Sequence, residues 1–243
     1  MTFRPFLWLT VVTLPALLVL VGLGTWQLGR LQWKNNLIDN FEARVAAPPV
    51  AVPAGEAAID PLEFRQLDLT GRFLHDKEIF LTGRTYEGNA GFHVVTPFEL
   101  ADGRVILINR GWVSEGYKDP AKRVFSRVDG PTTIAGILRK PGQKGYFVPE
   151  NEPAKGFWFT LVPTEINAHL GLGAAAINSF YADAIRNSEV LTLPIAAKTE
   201  LNLRNAHLSY ALTWYGIALA LIGVYVAFHM QAGRLQFTGK NKD

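Results

Sequence analysis

FLWLTVVTLPALLVLVGLG, residues 6 to 24, contains no charged side chain. At about 1.5 Å per residue a helix of this length reaches about 28 Å, close to the thickness of a bilayer's hydrocarbon core. The run ALTWYGIALALIGVYVAF, residues 211 to 228, is also uncharged and of similar reach. Both are read as transmembrane helices, spanning residues 6–24 and 208–230. Pro15 would kink the first, which membrane helices tolerate. The first run is read as a retained anchor and not a cleaved signal peptide. Its apolar core exceeds the usual length of about 7–15 residues, and more helix follows it.

These spans frame the rest of the chain. Residues 1–5 form an N-terminal stub and residues 231–243 a tail. In GTWQLGRLQWKNNLIDNFEAR (24 to 44), Trp26, Trp33, Leu37 and Phe41 recur at helical spacing, with Arg30 on the same stripe. The first helix is therefore expected to continue through residues 25–46. Residues 47–61, APPVAVPAGEAAIDP, carry four prolines and read as an extended linker. From residue 62 to 195 the pattern is period two. EFRQLDLTGRF (63 to 73) alternates apolar Leu67, Leu69 and Phe73 with polar neighbours. KEIFLTGR (77 to 84) is a second strand. GFHVVTPFE (91 to 99) and RVILINRGW (104 to 112) flank Asp102-Gly103, a tight-hairpin signal. Val105 to Ile108 is apolar on both faces, which marks a central strand. TTIAGILR (132 to 139), GFWFT (156 to 160) and SFYADAI (179 to 185) complete the set, with one short helix expected over 163–170. Residues 196–207 link to the second span. The expected fold class is membrane α + β. Two transmembrane helices flank a β-rich, mostly antiparallel, barrel- or sandwich-like domain with a short helix.

Composition excludes several functions. A formal net charge of +3 on 243 residues, with no basic run, argues against nucleic acid. The absence of cysteine excludes disulfides, thiolate catalysis and covalent haem attachment through C-x-x-C-H. No phosphate-binding loop, H-E-x-x-H, G-x-S-x-G or dinucleotide fingerprint occurs, so no catalytic residue is assigned. The five histidines, at 75, 93, 169, 207 and 229, show no helical metal-ligand spacing. His75, His93 and His169 read as surface or satisfied polar groups, and His229 as an interfacial histidine at the far end of the second span.

His207 stands apart because of its neighbours. On a helix of about 100° per residue, His207, Tyr210 and Trp214 fall within about 60° of one another, with Ala211 and Ala218 on the same side. Two readings fit. One is an ordinary aromatic belt at a membrane boundary. The other is an imidazole ligand to haem iron, with aromatic rings against the porphyrin. Arg30 likewise reads either as a snorkelling anchor stacked on its tryptophan neighbours or as the partner of a ligand's acid group. The charges flanking the spans leave orientation open. Arg4, Arg234, Lys240 and Lys242 lie on one side, and Arg30, Lys34, Arg44, Lys198 and Arg204 on the other.

Several blocks in register resemble a known family. GTWQLGRLQWK, LTGRTYEGNAGFHVVTPFEL, VILINRGWVS, GILRK with FVPENEP and FW, and NAHLSYALTW are similar, in that order, to the signatures of the Surfeit-locus cytochrome c oxidase assembly factors. The resemblance covers nearly the whole chain. It implies a non-enzymatic assembly factor that binds haem a and assists its insertion into cytochrome c oxidase subunit I. Haem a synthase is a second implied partner and membrane lipid the surroundings. The resemblance also implies an inner-membrane protein with both termini cytoplasmic and the β domain periplasmic, or in the mitochondrial counterpart. The family's haem-linked histidine and tryptophan fall on His207 and Trp214. By position beside them, Tyr210 would pack on the cofactor, and Arg30 and Arg204 would face its propionates. The competing reading is a membrane-anchored scaffold that binds oxidase subunits and has no haem site of its own.

Overall fold

A computed structural model describes residues 2–54, 59–142, 145–185, 193–196 and 205–236. It divides into two compact units, Met1–Asn40 with Leu201–Asp243, and Phe41–Glu200.

The first unit is a helix hairpin. Helix α1 (Leu7–Ala46) enters it and α4 (His207–Gln231) completes it. Both are long and apolar enough to cross a membrane. α1 runs unbroken through Pro15. On α4 the less exposed residues are His207, Ala211, Trp214, Tyr215, Ala218, Leu221, Tyr225, Val226 and His229. Steps of three and four along this set make the stripe of a helix packed along a partner at a shallow angle. The pairing with α1 is antiparallel. Thr10 Oγ1 meets the Tyr225 hydroxyl at 2.6 Å, and Thr25 Oγ1 meets the Tyr215 hydroxyl at 3.1 Å. At Gly24 the helices are so close that a Cβ would lie 2.8 Å from the Tyr215 ring. Small residues at such crossings let backbones approach. Strands β1 (Thr2–Phe3) and β8 (Leu235–Gln236) pair antiparallel, so the two ends of the hairpin lie together.

The second unit contains the four-residue helix α2 (Ile59–Leu62) and is built on a six-stranded sheet. Its strands are β2 (Gln66–Phe73), β3 (Ile79–Tyr86), β4 (Asn89–Leu100), β5 (Val105–Ser114), β6 (Thr132–Arg139) and β7 (Tyr181–Ala184). The order is β2-β6-β7-β5-β4-β3, and β2 also pairs with β4. That extra pairing closes five strands into a barrel and leaves β3 as a flank. Strand β4 divides one edge between two partners, meeting β3 from Asn89 to Val95 and β2 from Phe98 to Leu100. Pro97, with no N–H to donate, falls at the changeover. At Gly71, where β2 meets β4, a Cβ would run into the Glu99 carbonyl. All pairs are antiparallel except β5 with β7.

The period-two pattern does what alternation predicts. Leu67 and Leu69 are fully buried while Asp68 and Thr70 are exposed. β5 is buried along its length except at Ser114, as a strand apolar on both faces must be. Ile106 and Ile108 face the barrel core with Leu67, Leu69, Phe98 and Leu138. Leu107 faces a second core with Leu81, Trp158 and Ile166, the last on the short helix α3 (Pro163–His169). Buried Glu78 is paired with Arg123 and lies 3.6 Å from Arg110. Burial pushes the Arg110 guanidinium down to about 10, against the pull of Glu78. This ion cluster holds the Pro120–Ser126 turn on the sheet.

The expected strand over 156–160 does not form. Only single bridges occur there, Leu81 with Trp158 and Glu152 with Phe157. Asn151 Oδ1 instead accepts the N–H groups of Phe159 and Thr160, at 2.8 and 3.0 Å. A side-chain amide thus takes donors that a ladder would have used.

Candidate functional site

His207 is the first residue of α4. Its Nδ1–H donates to Gln27 Oε1 at 2.7 Å. Gln27 lies on the inner stripe of α1, three residues beyond Gly24. With Nδ1 donating, Nε2 is the ring nitrogen left for a ligand, and that atom has no hydrogen-bond partner among the described residues. An imidazole oriented through one nitrogen and open at the other is the arrangement that metal-ligating histidines use.

The surroundings are aromatic. Trp214 is half-buried and Tyr210 is 54% exposed. On α1 the Arg30 guanidinium lies 4.4 Å from the Trp33 ring centroid. Trp26 and Trp33 are exposed. Tyr210 is displaced by about 60° around α4 from His207, and Arg30 by about 60° in the same sense around α1 from Gln27. In an antiparallel pair such offsets lead to the same side of the hairpin. One side therefore carries an imidazole, several ring faces and a guanidinium. That set suits a flat, apolar cofactor with a metal centre and acidic edge groups.

Residues 14–219 match the model of the SURF1 family. The chain belongs to the SURF1 family. It is 34% identical over 226 residues to a SURF1-like protein of Monosiga brevicollis, covering 88% of this chain and 85% of that relative. It is 36% identical over 214 residues to Surfeit locus protein 1 of Mus musculus, covering 82% of this chain and 68% of the relative. With Surfeit locus protein 1 of Homo sapiens the identity is 36% over 215 residues, covering 82% and 70%.

In this SURF1-family chain the residues singled out by sequence are distributed as follows. His207 and Trp214 lie on the inner stripe of α4, and Tyr210 lies at its margin. Arg30 stacks on Trp33, the geometry of a snorkelling anchor. Arg204 lies outside the described residues. Gln27 is not among the expected residues, because it lies about 100° around α1 from Trp26, off the stripe of Trp26, Arg30 and Trp33. The role of His229 depends on packing between helices that lie far apart in sequence. His229 is fully buried among the rings of Phe3, Phe6, Tyr225 and Phe228. Its Nδ1–H donates to the Tyr225 carbonyl at 2.8 Å, and its Nε2 accepts the Phe6 N–H at 3.1 Å. It lies 22 residues along α4 from His207, about 33 Å at 1.5 Å per residue, so the two cannot share a ligand. Among the described residues no three His, Asp or Glu side chains converge on a metal-ion site.

Proposed function

We propose that this protein is a cytochrome c oxidase assembly factor that holds haem a at the helix hairpin and assists its insertion into oxidase subunit I. His207 Nε2 is the iron ligand, Gln27 orients the ring, Trp214 and Tyr210 pack against the porphyrin, and Arg30 and Arg204 serve the propionates. Haem a is cargo in this reading, and iron coordination is the only chemistry asked of it. The observation that carries the reading is the open Nε2 of an imidazole whose other nitrogen is already fixed by Gln27. A single protein ligand at a helix boundary, without a covalent link, is compatible with later release. Haem a synthase is the proposed donor. The protein is placed in the inner membrane with both termini in the cytoplasm and the barrel outside, in keeping with the paired chain ends. No catalytic step is assigned.

The test uses the full chain purified from cells that make haem a. Wild type should carry the visible spectrum of haem a, and His207→Ala should lose it. Wild type without haem a, or His207→Ala with an unchanged spectrum, favours instead a scaffold that binds oxidase subunits without its own haem site.

A further inference from the structure

Beside the second core of the barrel lies a cavity of about 410 Å³. Arg84 of β3, His93 of β4, Asn109 of β5, Arg139 of β6, and Tyr181 and Asp183 of β7 line it. Strand register assembles them. Asn109 is the parallel partner of Asp183, and Arg139 is the antiparallel partner of Tyr181. Five strands thus deliver polar groups to one place, and the reading of the helix hairpin uses none of them.

The charges do not balance. The cavity holds two guanidiniums and one carboxylate. Asp183 accepts from Asn109 Nδ2 at 2.8 Å and lies 3.5 Å from Arg139 Nη1. Arg84 donates to the Phe159 carbonyl at 2.9 Å and has no carboxylate within ion-pair reach among the described residues. A donor is left over as well. Arg139 Nε is buried without a hydrogen-bond partner among the described residues. Among the described residues lining the cavity nothing else supplies the missing charge, and Glu63, which acts on Tyr181 from outside the lining, is paired with Lys140. Burial, and then Arg84, push His93 down to about 4, so its ring is neutral. Burial pushes the Tyr181 hydroxyl up to about 12 and raises Asp183 above the ordinary carboxyl range. Leu81 and Leu161 form an apolar wall beside the two arginines.

We propose that this cavity binds an aliphatic monocarboxylate, its carboxylate held between Arg84 and Arg139 and its chain along Leu81 and Leu161. One negative charge matches the single excess positive charge. A dianion such as phosphate would face the Asp183 carboxylate and is disfavoured. Charge-assisted bonds from guanidinium to carboxylate are strong and geometrically specific, so the site depends on both arginines.

The experiment uses the full chain in detergent micelles with carboxyl-¹³C-labelled butyrate as probe. Wild type should bind it saturably at one site, with the His93 ring resonances shifting in step. Arg84→Gln and Arg139→Gln should each weaken binding tenfold or more while thermal unfolding stays near the wild-type value. Should either variant unfold, Leu161→Trp, which fills the apolar wall and keeps both charges, should weaken butyrate by a similar factor. Arg72→Gln removes a guanidinium that pairs with Glu99 outside the cavity and should leave binding unchanged. Absence of saturable binding to wild type overturns the proposal. So do unchanged affinity in a folded Arg84→Gln, phosphate binding as tightly as butyrate, or an equal loss in Arg72→Gln.

Discussion

His207 and His229 begin and nearly end the same helix, and both rings use Nδ1–H as a donor. Their second nitrogens part company. At His229 the lone pair of Nε2 takes the Phe6 N–H, and the ring is sealed among four aromatic side chains. At His207 the lone pair of Nε2 meets no donor among the described residues, and the ring is half-exposed. Position at a helix end does not separate a structural histidine from a candidate ligand. The saturation of the ring does.

The contrast is open to attack by substitution. The largest effect should be at His207, where alanine abolishes retention of haem a, read from the visible spectrum. His229→Ala should leave that spectrum in place. Retained haem in the first variant, or lost haem in a well-folded second, would reverse the two assignments. Stability should show the opposite ranking. His229→Ala strips the Phe6 N–H of its acceptor and opens a gap among the rings, at about 2–4 kcal/mol in a reversible denaturant titration. His207→Ala, at a half-exposed site, should lose under about 1 kcal/mol.

A third histidine sharpens the comparison in the barrel. His93 binds its proton near pH 4 when folded, against 6.5 for the ordinary group. Between these values the unfolded chain holds a proton that the folded chain rejects. Its contribution is therefore complete above about pH 6.5, declines as the pH falls, and is gone by about pH 4, a swing of about 3 kcal/mol. His93→Asn should flatten that part of the stability profile, and a profile parallel to wild type would show that the ring is not buried as a neutral group. The smallest effect belongs to Gln27. Gln27→Leu removes the acceptor that fixes the His207 tautomer and should weaken haem a retention about tenfold with little change in stability. An unchanged affinity would mean that His207 needs no orienting partner.

Much of the fold is legible in local sequence. Two uncharged runs specify α1 and α4. Alternation marks β2 through Leu67 and Leu69. Asp102-Gly103 marks the β4–β5 turn, where Gly103 has φ of +84° and the Asp102 side chain accepts the Arg104 N–H. The rest depends on partners far apart in the chain. Closure of the barrel rests on Gly71 meeting Leu100, and the single parallel pair joins β5 to β7 across the whole α3 region. The 156–160 segment has the composition of a strand but surrenders the N–H groups of Phe159 and Thr160 to Asn151. At the site, helical spacing was enough to group His207, Tyr210 and Trp214. It could not supply Gln27, which lies 180 residues earlier. His229 was equally opaque, because both of its bonds are known only once α1 and α4 are side by side.

Gly24 carries a further consequence. It lies one helical turn from Gln27, and the Tyr215 ring against it is held by Thr25. For the ring to swing away from a newcomer, that hydrogen bond must break. A side chain at this position would act as a wedge, widening the gap that Gln27 must bridge to reach His207. The hairpin is thus machined to a tolerance of about one methyl group. The first casualty of exceeding it would be the resting place of a proton on an imidazole one turn away, well before either helix lost its shape.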